Sequence, residues 1–129
     1  MKKERREYPE IAPAGPTYAR AVRAGHMLFI SGCTARGTDA EGGAAIDQLR
    51  VTLDRVVRIV QAEGGTPSDI VKLTTFVTRM ADWSPTSEEQ QAVFDSHFEG
   101  ENPANSLVEI TALALPGLDI EIEAIAIID

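Results

Sequence analysis

The segment LDIEIEAIAII, residues 118–128, decides the fold. Its alternation marks a β-strand, because successive side chains on a strand point to opposite faces. Ile120, Ile122, Ala124, Ala126 and Ile128 fall on one face, and Ile125 and Ile127 fall on the other. A strand that is apolar on both sides is covered on both sides. One cover has to come from this chain, and the second has to come from elsewhere.

Working outward, the chain offers two helices for the first cover. Ile46, Leu49, Leu53, Val56, Val57 and Val60 recur at three- and four-residue steps, which predicts an amphipathic helix ended by Gly64-Gly65. Ser84-Pro85 and the box Thr86-Ser87-Glu88-Glu89 are overlapping start signals for a second helix. Its apolar stripe is Val93, Phe94, His97 and Phe98, and Gly100 closes it. Residues 17–23 and 26–31 read as short strands around Ala24-Gly25, and 34–45 as a glycine-rich loop. Val71 to Thr78 and Ser106 to Ala112 read as two further strands.

The resulting order, β-β-α-β-α-β-β, is an α+β sandwich of one sheet and two helices. Two helices about 10 Å across cover roughly one face of such a sheet. A homo-oligomer is therefore expected, with sheet faces or edges meeting between subunits.

Composition narrows the function. A chain of 129 residues fits a single domain, and residues 1–14 read as an N-terminal tail. Its basic cluster, Lys2 to Arg6, is interleaved with Glu4 and Glu7 and reads as a solvated end. A net charge of −8 weighs against nucleic-acid binding. No apolar run is long enough to cross a membrane, and the charged stretch MKKERREYPE, without an apolar core, is not expected to act as a secretory signal. The single cysteine, Cys33, suits a reducing cytoplasm. No Cys/His cluster has metal spacing and no glycine-rich phosphate loop follows a strand, so neither metal nor nucleotide cofactor is expected.

Several residues invite a chemical role. Glu121 and Glu123 lie two residues apart on one strand face, roughly 6.5–7 Å from one another. Carboxylates beside an apolar seam have raised pKa values and can serve acid–base chemistry, although either could instead reach solvent or pair with an arginine. Cys33 would be nucleophilic only with a lowered pKa, and neither His26 nor His97 is placed beside it, so buried packing is the simpler reading. His97, on the second helix's stripe, reads as core or capping.

The chain then resembles a known family through a series of ordered markers. These are Gly15-Pro16-Thr17-Tyr18-Ala19-Arg20-Ala21-Val22, Leu28-Phe29-Ile30-Ser31-Gly32, Gln48-Leu49-Arg50 with Leu53-Asp54, and Asp69-Ile70-Val71-Lys72 with Thr75-Phe76-Val77. Met80-Ala81-Asp82-Trp83, Asn102-Pro103-Ala104 and Ile120-Glu121-Ile122-Glu123-Ala124-Ile125-Ala126 complete the set. Together they resemble the Rid (reactive intermediate deaminase) or YjgF family, also known as L-PSP endoribonucleases, from about Gly15 to the C-terminus.

The resemblance implies a chorismate-mutase-like fold with both helices on one face of a mixed sheet. It also implies a homotrimer, and a small-molecule substrate or ligand held in clefts between subunits. The implied reaction is cofactor-free hydrolysis of enamines and imines to a 2-oxo acid and ammonia. In that scheme an arginine of a Pro-Ala-Arg-Ser motif grips the substrate carboxylate. The first glutamate of the last-strand motif handles the attacking water. Tyr18, Ser31, Gly32 and Glu121 match the implied site.

Asn105 does not match, because it stands at the arginine's place in Pro103-Ala104-Asn105-Ser106. A short neutral amide cannot form a charged fork. Other departures are Thr17, inserted before Tyr18; Arg20, where glutamine is common; Cys33, after Ser-Gly; and Leu107, at a position often held by cysteine. The loop after Arg36 is short, and the turn after Trp83 is long.

Three functions follow. The first is an imine or enamine deaminase acting on something other than simple 2-imino acids, with Glu121 catalytic and Tyr18, Arg20, Ser31, Gly32, Cys33 and Asn105 about the substrate. The second is a small-molecule-binding protein without chemistry. The third, least in keeping with the acidic charge, is a ribonuclease or translation inhibitor. The sequence leaves open whether Arg20 or Arg36 replaces the missing cation.

Overall fold

In the computed structural model, which describes residues 1–129, the last strand is the third-from-edge member of a six-stranded sheet. The elements are β1 (Lys3–Arg6), β2 (Ala21–Ala24), β3 (Met27–Cys33), α1 (Ala45–Ala62), β4 (Ile70–Val77), α2 (Glu88–Phe98), β5 (Ala104–Glu109) and β6 (Ile120–Ile127). The sheet order is β1-β2-β3-β6-β4-β5. Every neighbouring pair is antiparallel except β4 and β5, which run parallel through the α2 crossover.

Both helices cover one face. Ile120, Ile122, Ala124 and Ala126 are buried beneath them with Leu49, Leu53, Val56 and Val60 of α1 and with Val93 and Phe98 of α2. Leu53 is fully buried, so truncating it to alanine costs on the order of 2–5 kcal/mol. The opposite face bears Met27, Phe29 and Ile127, all exposed. The two-sided character of the last strand is therefore real, and this chain covers only one side.

α1 ends as its glycines predict. Gly64 takes φ +87°, its N–H donates to Gln61 O, and the Gly65 N–H reaches back to Val60 O. That pair of bonds is a Schellman stop. α2 begins one residue later than the sequence box implies. Ser87 accepts from the Gln90 N–H, and the Gln90 side chain accepts from the Ser87 N–H. His97 ties the two helices together, contacting Val93 O and the Asp54 carboxylate.

Two expectations need correction. Lys3–Arg6, which the sequence places in a solvated tail, is a strand paired antiparallel to β2, so the order gains a first strand. An edge strand tolerates such charges because half of its side chains face water and its free edge is solvated. Tyr8 fastens the return: its hydroxyl donates to Glu63, which also pairs with Arg6 and Arg23. Burial beside that carboxylate pushes the Tyr8 phenol well up. The strand expected over 17–23 starts only at Ala21, because Tyr18 to Arg20 turn aside to bury the Arg20 guanidinium. No helix is long and apolar enough to cross a membrane.

Candidate functional site

Glu121 and Gly32 are built against each other by the β3–β6 ladder. A register shift between Ile30 and Cys33 sets Cys33 opposite Ile122, among the core residues, and leaves Gly32 beneath the Glu121 side chain. A Cβ at position 32 would lie 2.6 Å from Glu121 Cδ. Only glycine leaves that room with the carboxylate where it stands. Glu121 makes no hydrogen bond or ion pair within the chain. Burial raises its pKa above the usual carboxylate value, neighbouring Glu123 raises it further, and Arg20 opposes both.

The carboxylate opens on a cavity of about 430 Å³ at the sheet end, walled by Tyr18, Arg20, Gly32, Cys33, Arg36 and Arg55. The 12–16 segment and Leu115 and Leu118 complete it. Gln48 fixes that last loop: its amide nitrogen donates to Gly117 O and Asp119 Oδ2, and its oxygen accepts the Asp119 N–H.

Arg20 has a different task from the one its charge suggests. Its Nε donates to Ala12 O at 3.0 Å, Nη1 to Gly32 O at 2.8 Å and Ser31 O at 3.2 Å, and Nη2 to Pro13 O at 3.0 Å. Longer contacts reach Cys33 Sγ and the Tyr18 hydroxyl. Every N–H of the fork has an acceptor in the chain. Arg20 thus knits the 12–13 segment to β3 from a buried position and shapes the cavity wall. The Tyr18 ring stacks 5.4 Å from its guanidinium carbon, with 45% of the residue exposed towards the cavity mouth.

Two other expected members have structural roles, Ser31 away from the cavity and Cys33 in its wall. The Ser31 hydroxyl donates to Ala19 O. Cys33 is buried, and burial raises its thiol pKa in spite of Arg20 and Arg55, which makes it a packing group.

Asn105 stands apart. It pairs with Leu73, whereas Glu121 pairs with Phe76, three residues on along β4. Paired residues share a face and an odd step changes it, so Asn105 and Glu121 project from opposite faces. Asn105 accepts the Thr75 hydroxyl at 2.9 Å. It borders a second cavity of about 420 Å³ with Leu107, Trp83, Gln90 and Phe94. The buried Trp83 indole N–H there has no partner.

The sequence reading missed Arg55. It sits on the polar side of α1, and only the spatial approach of that helix to residues 33–36 brings it to Glu121's cavity.

Known proteins match this architecture closely. Residues 9–128 match the Endoribonuclease L-PSP family. A 2-iminobutanoate/2-iminopropanoate deaminase of Salmonella typhimurium is 38% identical over 124 residues, 92% of this chain and 93% of that protein. A RutC family protein of Pyrococcus horikoshii is 34% identical over 117 residues, 88% of each chain. Among solved structures, Rv2704 of Mycobacterium tuberculosis, a YjgF/YER057c/UK114 family member, superposes with TM-score 0.72 at 34% identity over 88% of both chains. RidA of an Antarctic Psychrobacter gives 0.76 at 28% identity, covering 92% of this chain and 94% of the other.

Proposed function

Because the chain belongs to the Endoribonuclease L-PSP family, whose members include imine deaminases, we propose that it hydrolyses the C=N bond of a small imine or enamine in the cavity beside Glu121. The observation that carries this reading is the Glu121 carboxylate: desolvated, unpaired, and seated on a glycine at a cavity wall. A carboxylate with a raised pKa is suited to taking a proton from water and returning it.

The steps balance without any cofactor. Glu121 takes a proton from water as the water oxygen bonds to the imine carbon, and the C=N π electrons move to nitrogen. The protonated Glu121 then gives its proton to that nitrogen. Glu121, ionised again, takes the hydroxyl proton and passes it to the amine nitrogen, so the C–N bond breaks, ammonia leaves, and the oxygen closes to C=O. An enamine first tautomerises to the imine by gaining a proton at carbon and losing one from nitrogen.

The working unit is an oligomer, which we take as a trimer. The apolar open face favours association, because Met27, Phe29 and Ile127 stand exposed on it. The opposite facing of Asn105 and Glu121 favours a cleft between copies, with the Asn105–Leu107 edge of one subunit beside the Glu121 cavity of the next.

Generating a panel of imines in situ, with 2-iminobutanoate as the simple 2-imino acid for reference, and timing ammonia release tests the reaction. Wild-type protein should accelerate release above the spontaneous rate, and Glu121→Gln should lose the acceleration. Tight ligand binding with no Glu121-dependent turnover would instead establish a binding protein.

A further inference from the structure

We propose that Arg55, assisted by Arg36, is the anion-binding element of this site and takes the carboxylate of an anionic imine whose C=N end lies at Glu121. This rests on the deaminase reading for the reaction, but its own ground is an accounting of arginines.

Four arginine side chains are at least half-buried: Arg6, Arg20, Arg23 and Arg55. Arg6 pairs with Glu4 and Glu63, and Arg23 pairs with Glu63. Arg20 has an acceptor for every N–H, as described above. Arg55 alone lacks such compensation. Its single hydrogen bond is Nη1 to Thr34 O at 2.6 Å, and no carboxylate of the chain pairs with it.

Burial makes the charged form of Arg55 costlier; Cys33 offsets part of that cost, and the like charges of Arg20 and Arg58 add to it. A half-buried guanidinium beside two other cations, with most of its donors unspent, is stabilised by an incoming anion. Arg55 borders the same cavity as Glu121, so that anion would sit within the site and not on the outer surface.

Arg36 supplies the second cation. It is exposed, its side chain has no partner, and it lies on the same cavity from the loop after β3. Two guanidiniums and a carboxylate base lining one cavity match an elongated ligand with an anionic head and a reactive C=N. Asn105 need not carry charge in such a site, which accounts for a neutral amide at that place.

An inert carboxylate separates this inference from the reaction itself. Calorimetric titration of the full-length protein with 2-oxobutanoate reads anion binding without turnover. Arg55→Gln should weaken binding at least tenfold and Arg36→Gln about threefold, while Arg50→Gln, on the outer face of α1, should leave it unchanged. Arg55→Lys should recover most of the loss. In turnover assays, Arg55→Gln should raise KM more than it lowers kcat. Wild-type affinity in both Arg55→Gln and Arg36→Gln would overturn the inference, as would failure of wild-type protein to bind the oxo acid at millimolar concentration. The Glu121→Gln ammonia assay judges the deaminase reading separately, whichever way this titration falls.

Discussion

Replacing Gly32 with alanine probes how closely Glu121 must be held. The new methyl carbon would meet Glu121 Cδ at 2.6 Å and Cγ and Oε2 at 2.7 Å. An ordinary carbon contact is about 3.5–4.0 Å, so the carboxylate must retreat by roughly 1 Å. The backbone at Gly32 is not left-handed, and the obstructing atoms end a flexible side chain. The fold should therefore absorb the change for about 0.5–1.5 kcal/mol, the cost of an off-rotamer side chain. Catalysis should suffer more, because a 1 Å misplacement of a reacting group costs about a hundredfold in rate, or about 2.7 kcal/mol. Urea unfolding and imine-driven ammonia release on the same preparation separate the two effects. A stably folded variant with undiminished turnover would show that the position of Glu121 is immaterial. A loss of stability beyond about 3 kcal/mol would show that the Glu121 side chain cannot yield to the new methyl group.

Three further outcomes are expected. Glu121 has its folded-state pKa raised above 4.5, so between that value and the raised one the folded chain holds a proton the unfolded chain has released. Stability contributed by this group is complete below 4.5 and is lost as pH rises through the raised pKa; Glu121→Gln should therefore gain on wild type across that window and run parallel above it, read from urea midpoints at a series of pH values. Arg20→Met should lose about 3 kcal/mol or more, because the carbonyls of Ala12, Pro13 and Gly32 lose their donor, and the urea midpoint should fall with little change in slope. Light scattering should find a trimer at micromolar concentration and a monomer for the pair Phe29→Asp with Ile127→Asp; a monomeric wild type would refute the covered-face argument.

The parts of the fold legible in the sequence are those written as periodicity. Leu49, Leu53, Val56 and Val60 announce α1 by spacing, and Ile120 to Ile127 announce a central strand by alternation on both faces. The first strand was illegible because Lys3-Glu4-Arg5-Arg6 carries no apolar alternation; its pairing comes from backbone bonds to β2, which leave no side-chain signature. The pairing of Gly32 with Glu121 in the candidate site was legible because a motif fixes both identity and face. The site was not legible where three-dimensional approach decides. Arg20 was read as a possible ligand for substrate, but its donors are spent on carbonyls of two segments distant from it in sequence. Arg55 was indistinguishable from the solvated arginines of α1 until the helix was seen to approach residues 33–36. That Asn105 and Glu121 face opposite ways needed the ladder register through β4.

The first strand lies outside residues 9–128, the stretch that matches the family model. Trimming the chain to that stretch would uncover β2, whose Ala21-Val22-Arg23-Ala24 holds a single charge. A short, sparsely charged strand with free amide and carbonyl groups is a template for pairing with other chains. The four charged residues of β1 thus serve as a selvedge, finishing the sheet so that it ends in water. Shortening the protein for convenience would remove the hem and invite unravelled chains to join there.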